Sequence, residues 1–237
     1  MRKLVVIGAG MASGRLLEHL FEAAPDAFEV TLFNAGPRGN YNRIMLSPVL
    51  SGEKSYEEII THNDQWYAAN KVITRFGEKV TAIDRERKVV VGEKGEVPYD
   101  SLVIATGSAP FMIPLPGHKL PGVLGYRDLE DTNAMIEISG KPGSKAVVIG
   151  GGLLGLEAAA GLRLRGMEVT VLHNVGHLME RQLDEAAGYL LQKDLEKRGI
   201  TVMTRADTAT IEGTERVEEV RLKDGTAIPA NIVIIAA

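Results

Sequence analysis

Three glycines in the string AVVIGGGLLGLE, residues 146–157, have the spacing G-x-G-x-x-G, which suits contact with a phosphate group. Gly150 permits a tight turn, Gly152 lets the backbone approach a pyrophosphate, and Gly155 allows a helix to pack closely on a strand. The helix that follows offers free N–H groups and a partial positive charge to the phosphates. The string therefore predicts a dinucleotide-binding turn, and a glycine-rich turn without a ligand is the alternative.

A second copy of this pattern stands near the N-terminus, in the string KLVVIGAGMASG of residues 3–14. Gly8 and Gly10 occupy the first two glycine positions, whereas Ser13 occupies the third and Gly14 follows it. A small residue at the third position still allows close packing of the helix, so the motif is modified but intact. Two such units in one chain imply two bound dinucleotides or one duplicated fold.

The segments around the two glycine turns repeat the same order of elements. Each half contains an apolar strand, the glycine turn, a helix, a second strand, an antiparallel β excursion and a closing strand. This order predicts an α/β fold of two tandem Rossmann-like dinucleotide-binding domains, of the three-layer ββα type, each with a small antiparallel β excursion. Prolines and glycines crowd residues 110–122 and place the boundary near residue 116, which gives domains 1–116 and 117–237.

Hydrophobic periodicity and turn residues set the limits of the predicted elements. Asp128 is the expected N-cap of the third helix, Asp224-Gly225 predicts a hairpin turn, and Trp66 and Tyr67 are expected in the core. The predicted strands cover residues 3–7, 28–33, 72–76, 80–84, 88–91, 101–105, 146–149, 167–172, 201–203, 208–212, 217–222 and 232–236. The predicted helices cover residues 11–24, 55–70, 128–138, 153–165 and 184–198.

The polar residues that follow the second strand of each half could recognise the nucleotide. This fold often places an acid there, which accepts hydrogen bonds from the ribose hydroxyls. Asn34 follows the first of these strands and can accept one hydrogen bond, or it is a plain turn residue. His173 ends the other strand, and a neutral imidazole accepts at most one such bond and repels no phosphate. The sequence therefore predicts weak discrimination between NADH and NADPH, with NADH mildly favoured at neutral pH. Arg43 is the expected cation for a pyrophosphate, or it is a surface arginine.

Composition narrows the class of protein. Of the 237 residues, 45% are hydrophobic and 24% charged, and the formal net charge of −4 gives no basic footprint for nucleic acid. The chain has no cysteine, which excludes disulfides, thiolate metal sites and redox-active cysteine pairs within it. The most apolar long window, residues 146–162, contains Glu157 and glycines and is not a membrane span, and a cytoplasmic location is expected. No metal site is predicted, because these histidines lack ligand-spaced partners: His19, His62, His118 and His177.

Several strings carry a family resemblance. IGAG (residues 7–10), ATGS (105–108) and GGGLLGLE (150–157) resemble the two-dinucleotide flavoprotein reductases. NYNRIMLSPVLSGE (40–53) and HLMERQLD (177–184) are similar to the FAD/NAD portion of the assimilatory NAD(P)H nitrite reductase large subunits. The resemblance implies FAD in the first half and NAD(P)H in the second, with hydride passing to the flavin. In the complete family protein, downstream iron–sulfur and sirohaem modules then carry electrons to nitrite; the resemblance leaves a homodimer open.

The resemblance also implies individual site residues. Glu157 matches a glutamate near the nicotinamide and is the expected catalytic residue, with a solvent-facing carboxylate as the alternative. Val80 matches a residue whose backbone meets the adenine, and Arg43 matches a phosphate-binding arginine. The other residues implied to contact FAD are Gly8, Gly10, Ser13, Gly14, Asn34, Ala105, Thr106 and Gly107. Those implied to contact the nicotinamide nucleotide are Gly150, Gly152, Leu153, Leu154, Gly155 and His173.

Departures from the family pattern qualify these expectations. Ala35 stands where many relatives have an acid for the FAD ribose, and Pro48 stands where related ferredoxin reductases have a lysine near the flavin. The absence of cysteine excludes the disulfide reductases and the thiol-type NADH oxidases. The Gly-Asp segment that holds the flavin in the family is not found before Ala237, so a fragment with weakened FAD retention is expected. The alternatives are a small ferredoxin- or rubredoxin-type reductase, or a nucleotide-binding fragment without activity.

Overall fold

The computed structural model describes residues 1–236, which form two compact units. The first unit consists of residues 1–43 and 56–108, and the second consists of residues 44–55 and the chain from Ala109 onward. These units differ from the predicted domains 1–116 and 117–237 in two segments. Residues 109–116 join the second unit, and so do residues 44–55, in which the side chains of Leu46, Val49 and Leu50 are buried.

The first unit is built on a parallel sheet with strand order β3-β2-β1-β7. Its strands carry aliphatic and β-branched residues, and the buried side chains of Val6, Leu32 and Leu17 lie in its core. An antiparallel sheet of order β4-β5-β6 forms the predicted excursion. The strands are β1 (Arg2–Ile7), β2 (Phe28–Asn34), β3 (Ile73–Phe76), β4 (Val80–Asp84), β5 (Val89–Gly92), β6 (Gly95–Pro98) and β7 (Ser101–Ile104). The α-helices of this unit are α1 (Met11–Ala23) and α3 (Asp64–Ala69), whereas α2 (Leu46–Ser51) belongs to the second unit.

The predicted helix over residues 55–70 is wrong. The segment forms a 3₁₀ turn at Glu57–Ile59 and the short helix α3, separated by an isolated β-bridge at Ile60 and a bend at Thr61 and His62. The N–H groups of Thr61 and His62 donate to the carbonyl oxygen of Asn40 over 3.0 and 3.2 Å, so a tertiary contact competes with the helix. The Asn63 side chain accepts a hydrogen bond from the N–H of Trp66 and caps α3.

The second unit is built on a parallel sheet with strand order β11-β10-β9-β15-β8 and an antiparallel sheet of order β12-β13-β14. The hairpin predicted at Asp224-Gly225 joins β13 to β14, with Gly225 at a positive φ of 92°. The strands are β8 (Val123–Leu124), β9 (Lys145–Ile149), β10 (Glu168–His173), β11 (Ile200–Thr204), β12 (Thr208–Glu212), β13 (Glu219–Leu222), β14 (Ala227–Pro229) and β15 (Ile232–Ile235). The helices are α2 (Leu46–Ser51), α4 (Leu129–Ser139), α5 (Leu153–Leu164) and α6 (Glu185–Lys197).

Both units therefore share one plan, as the repeated sequence pattern predicts. Each has a central parallel sheet, a helix directly after the first strand of its fingerprint, and a separate antiparallel sheet. Asp128 caps α4 by accepting a hydrogen bond from the N–H of Asp131, and Tyr67 is buried in the core of the first unit with Trp66 packed against it. The predicted α/β fold of two Rossmann-like halves, each with an antiparallel excursion, is confirmed.

Candidate nucleotide-binding sites

The glycine turn of the first unit connects β1 to α1. Gly8 has a positive φ of 103°, and a Cβ atom there would lie 2.4 Å from the carbonyl oxygen of Ala105. Glycine is required where the turn approaches the end of β7 so closely. Gly10 is the N-cap of α1, and no atom of the described residues lies within 4 Å of the position that its Cβ would take. The turn thus leaves space in front of a helix N-terminus, where an anion is stabilised.

Ser13 and Gly14, at the third position of this motif, are both buried. The Ser13 Oγ donates to the carbonyl oxygen of Gly10 over 2.8 Å, which satisfies the hydroxyl within the first turn of α1. A Cβ atom on Gly14 would lie 2.1 Å from the Nδ2 atom of Asn40, and that atom lies 3.0 Å from the Nδ1 atom of His62. Both residues therefore have a packing role that does not depend on a ligand.

Three candidate residues of the first unit meet at the carboxyl ends of adjacent parallel strands. Gly8 follows β1, Asn34 ends β2 and Ala105 follows β7. Hydrogen bonds continue the ladder there: the N–H of Gly8 donates to Phe33 over 2.7 Å, and that of Ala105 donates to Ile7 over 2.8 Å. Ligands of open α/β sheets bind at this edge, so the fold places these residues where a dinucleotide site is expected.

The Asn34 side chain holds the loop that follows β2. Its Nδ2 donates to the carbonyl oxygens of Gly36 and Arg38 over 3.2 and 2.7 Å. Its Oδ1 accepts from the N–H of Ala9 over 3.4 Å, which ties this loop to the glycine turn. The amide therefore has a structural role as a turn residue, and one lone pair of Oδ1 remains for a ligand hydroxyl.

The other candidates of the first unit lie in loops or at a strand start. Arg43 begins a 3₁₀ turn, and its guanidinium carbon lies 5.9 Å from the centre of the Tyr41 ring. Thr106 and Gly107 are exposed after β7, and Gly107 has a positive φ of 73°. Val80 begins β4 in the antiparallel sheet rather than in the parallel one.

In the second unit, the three fingerprint glycines adopt the backbone geometry that their spacing predicts. Gly150 has a positive φ of 124° at the end of β9. A Cβ atom on Gly155 would lie 2.1 Å from the carbonyl oxygen of Gly150, so α5 packs directly on the turn. Gly152 is the N-cap of α5, and within residues 1–236 no atom lies less than 4 Å from the position of its Cβ. This turn, like the first, leaves space at a helix N-terminus.

Gly151, the additional glycine of this turn, is held through both of its backbone groups. Its N–H donates to the Nδ1 atom of His173 over 3.1 Å, and its carbonyl oxygen accepts from the N–H of Met179 over 3.0 Å. A Cβ atom on Gly151 would lie 2.8 Å from Cγ of the His173 ring. The Gly151 N–H is therefore engaged. The first turn of α5 presents the N–H groups of Leu153 and Leu154, whose side chains are exposed.

A cleft of about 600 Å³ opens beside this glycine turn. The turn, the end of β10 and the residues before α6 line it, and Glu180, Arg181 and Asp207 contribute charged groups to its wall. His173 lies largely beneath the turn, with 5% of its surface exposed. Its Nε2 atom lies 3.2 Å from Oε2 of Glu180, yet it has no hydrogen-bond partner of suitable angle among the described residues. The Nδ1 atom of His173 is thus already used, and the carboxylate of Glu180 lies next to the ring.

Glu157 is the end of a hydrogen-bonded chain in the second unit. The Tyr126 hydroxyl donates to the Oγ atom of Ser47 over 3.1 Å, and the Ser47 hydroxyl donates to Oε2 of Glu157 over 2.6 Å. Burial raises the pKa of Tyr126 to about 12; the Ser47 hydrogen bond opposes this shift and the Glu157 charge adds to it. The phenol therefore stays protonated at neutral pH, and the chain holds the carboxylate in one orientation.

Ser47, Tyr126, Glu180 and Gly151 were not identified from the sequence as site residues. Ser47 bonds to a partner 110 residues away in the sequence, so periodicity carries no signal for it. Gly151 does carry a signal, because a third consecutive glycine exceeds what the fingerprint needs. Within residues 1–236, no cluster of three or more histidines and acids is arranged to hold a metal ion, and no helix is long and apolar enough to cross a membrane.

The chain is similar to known proteins over nearly its whole length. The family model described as pyridine nucleotide-disulphide oxidoreductase matches residues 2–237. The chain is 47% identical over 236 residues to nitrite reductase (NAD(P)H) of Bacillus subtilis, an alignment that covers 99% of this chain and 29% of that protein. It is 40% identical over 237 residues to the assimilatory nitrate reductase electron transfer subunit of the same organism, covering 100% of this chain and 31% of that protein. The chain spans less than a third of the length of these two relatives.

A solved structure supports the same fold. The NAD-dependent persulfide reductase from A. fulgidus matches with a TM-score of 0.91 and 29% sequence identity. The match covers 99% of this chain and 45% of that one. Both Rossmann-like halves are therefore represented in a single solved reductase chain.

Proposed function

Because the chain belongs to the pyridine nucleotide-disulphide oxidoreductase family, we propose that it is the FAD-dependent, NAD(P)H-oxidising part of a nitrite reductase. The observation that carries the proposal is the duplicated turn: both units leave space in front of a helix N-terminus, at Gly10 and at Gly152. Each of these spaces suits the pyrophosphate of one dinucleotide. The name of the first Bacillus subtilis relative supports nitrite as the final electron acceptor and NAD(P)H as the donor, and the name of the second supports a role in electron transfer.

The first unit has the features that an FAD pyrophosphate requires. A side chain on Gly10 would fill the space in front of α1, so glycine keeps this position accessible. Arg43 would supply the countercharge, and Thr106 and Gly107 would lie along the cofactor beyond the end of β7. When bound, FAD supplies the capacity to accept a hydride from NAD(P)H and to release electrons to a further acceptor.

The second unit would hold the nicotinamide nucleotide. The N–H groups of Leu153 and Leu154 would bind its pyrophosphate beside Gly152, since the Gly151 N–H is engaged by His173. Glu157 would lie toward the nicotinamide end, with its carboxylate oriented by Ser47. In this role the protein contributes orientation and electrostatics rather than a nucleophile.

The composition of the chain excludes one route for the electrons beyond the flavin. The chain has no cysteine, so it cannot pass electrons to a dithiol of its own. We propose that iron–sulfur and sirohaem modules of a longer protein receive them. A homodimer and a cytoplasmic location stay predictions.

Flavin reduction tests the proposal. The purified chain is saturated with FAD and mixed anaerobically with NADH without removal of the excess flavin, and the visible flavin absorbance is followed against free FAD under the same conditions. We expect the absorbance to bleach. Gly152→Val should bind FAD but lose bleaching, whereas Gly10→Val should lose FAD yet still bind NADH in calorimetry.

The two variants are matched controls, because each places a valine at the start of one helix and leaves the other turn intact. Circular dichroism and cooperative unfolding establish that both fold. NADH binding without any bleaching of bound FAD would favour the nucleotide-binding module. A chain that binds neither FAD nor NADH would contradict the proposal.

A further inference from the structure

One acid in the cleft beside the second glycine turn, Glu180, comes from the segment before α6 and not from the end of β10. This fold often selects NAD over NADP with an acid at that strand end, where this chain has His173. We infer that Glu180 instead selects NAD over NADP, because its carboxylate can accept a hydrogen bond from a hydroxyl of the adenosine ribose and repel a 2′-phosphate. The inference rests on the proposed function of the second unit as a nicotinamide nucleotide site.

The backbone places Glu180 next to the turn. Met179 donates its N–H to the carbonyl oxygen of Gly151 over 3.0 Å and has a left-handed φ of 56°. Glu180 is the next residue, so the segment before α6 is pinned to the glycine turn immediately before this carboxylate. The side chain lines the cleft and is 30% exposed, which allows contact with a ligand while limiting solvent screening.

The His173 ring lies against the carboxylate of Glu180. Because its Nδ1 accepts the backbone N–H of Gly151, the single proton of the neutral ring lies on Nε2. Nε2 lies 3.2 Å from Oε2 of Glu180 without a hydrogen bond of suitable angle, so the ring contacts the carboxylate and limits the positions that it can take. His173 is thus a positioning residue for Glu180.

The other charged groups of the cleft are less suited to this selection. Asp207 lies 3.3 Å from the Nζ atom of Lys223, and more than half of its side chain is exposed. Arg181 lies 4.0 Å from Oε1 of Glu180, but 87% of its side chain is exposed, so water and salt screen its charge. The cleft therefore has one partly buried carboxylate beside the glycine turn and a screened cation beyond it.

Calorimetric titration with AMP and with adenosine 2′,5′-bisphosphate tests this assignment on the intact chain. These probes represent the two adenosine ends and require no flavin. We expect the unmodified chain to prefer AMP. Glu180→Gln should reduce the ratio of the two affinities by at least about tenfold, since the variant loses a hydrogen bond to a charged group and its repulsion of the 2′-phosphate. Arg181→Gln should raise the ratio, and Glu215→Gln, at an exposed turn, should leave it unchanged.

The outcomes separate this inference from the proposed function. An unchanged affinity ratio in a folded Glu180→Gln variant, with AMP still bound, would overturn the role of Glu180 and leave the nucleotide site intact. A Gly152→Val variant that binds AMP as well as the unmodified chain would instead contradict the nucleotide site itself. A similar fall in the ratio for Glu215→Gln would show that the effect reflects net charge, and it would also overturn the assignment.

Discussion

Tyr126 is a buried phenol whose hydroxyl begins the hydrogen-bonded chain to Ser47 and Glu157. Its environment disfavours the ionised form, which raises its pKa to about 12 from the ordinary value of 10.0. Below pH 10 the hydroxyl is protonated in both the folded and the unfolded chain, and its contribution does not change with pH. Between pH 10 and 12 the unfolded chain ionises first, so the free energy of unfolding must fall as the pH rises.

We predict that Tyr126→Phe removes this part of the alkaline destabilisation. For a shift of this size, the free energy of unfolding should fall by about 1.4 kcal/mol more in the unmodified chain than in the variant between pH 8 and pH 11. Urea unfolding at the two pH values measures the difference. Tyr189→Phe, at an exposed position on α6, is the control. Equal slopes for the unmodified chain and Tyr126→Phe would show that the buried hydroxyl does not resist ionisation.

Single residues also show where sequence reasoning ends. The roles of Gly150, Gly152 and Gly155 follow from their spacing, because all three act within one local turn. The His173 interaction with Gly151, by contrast, joins residues 22 positions apart, and the nearby Glu180 reaches the cleft through the left-handed Met179. Neither the ring orientation nor that backbone conformation is encoded in a short pattern.

At the scale of elements, the close packing of α5 against the turn that follows β9 depends on Gly155. We predict that Gly155→Ala lowers the free energy of unfolding by at least about 1 to 3 kcal/mol, because its Cβ would meet the carbonyl group of Gly150, which is backbone. Gly152→Ala is the matched control, since the Cβ position there is open within the described part of the chain. Urea unfolding compares the two variants. Equal losses of stability would mean that α5 can shift away from the turn at little cost.

Elements with strong local signals were predictable, and those set by tertiary contacts were not. The strand–turn–helix units were located within one or two residues of their observed limits. The segment 55–70 has helix-forming residues, yet the carbonyl oxygen of Asn40 draws two of its N–H groups away from helical bonding. A hydrogen-bond partner that lies about 20 residues earlier has no counterpart in local propensity.

For the whole molecule, the duplication was visible in the sequence, but the membership of residues 44–55 was not. This segment lies between elements of the first unit and packs in the second. Leu50 is fully buried there, and a Cβ atom on Gly161 of α5 would lie 2.8 Å from its side chain. The Arg165 side chain also donates to the carbonyl oxygens of Val49 and Leu50. These contacts span more than 100 residues, so no composition shift or linker signal marks them.

The packing of Leu50 predicts which elements lose protection against hydrogen exchange when its side chain is shortened. Leu50→Ala should cost about 2 to 5 kcal/mol, the usual range for a buried leucine. We expect hydrogen exchange, followed by mass spectrometry, to accelerate in α5 and β9 and to stay unchanged in β1 and β2, because proteins open locally in cooperative units. Leu17→Ala is the mirror control, since Leu17 is fully buried in the core of the first unit. It should accelerate exchange in β1 and β2 and spare α5. If either variant accelerates exchange equally in all four elements, the chain unfolds as one cooperative body and the two units are not energetically separate.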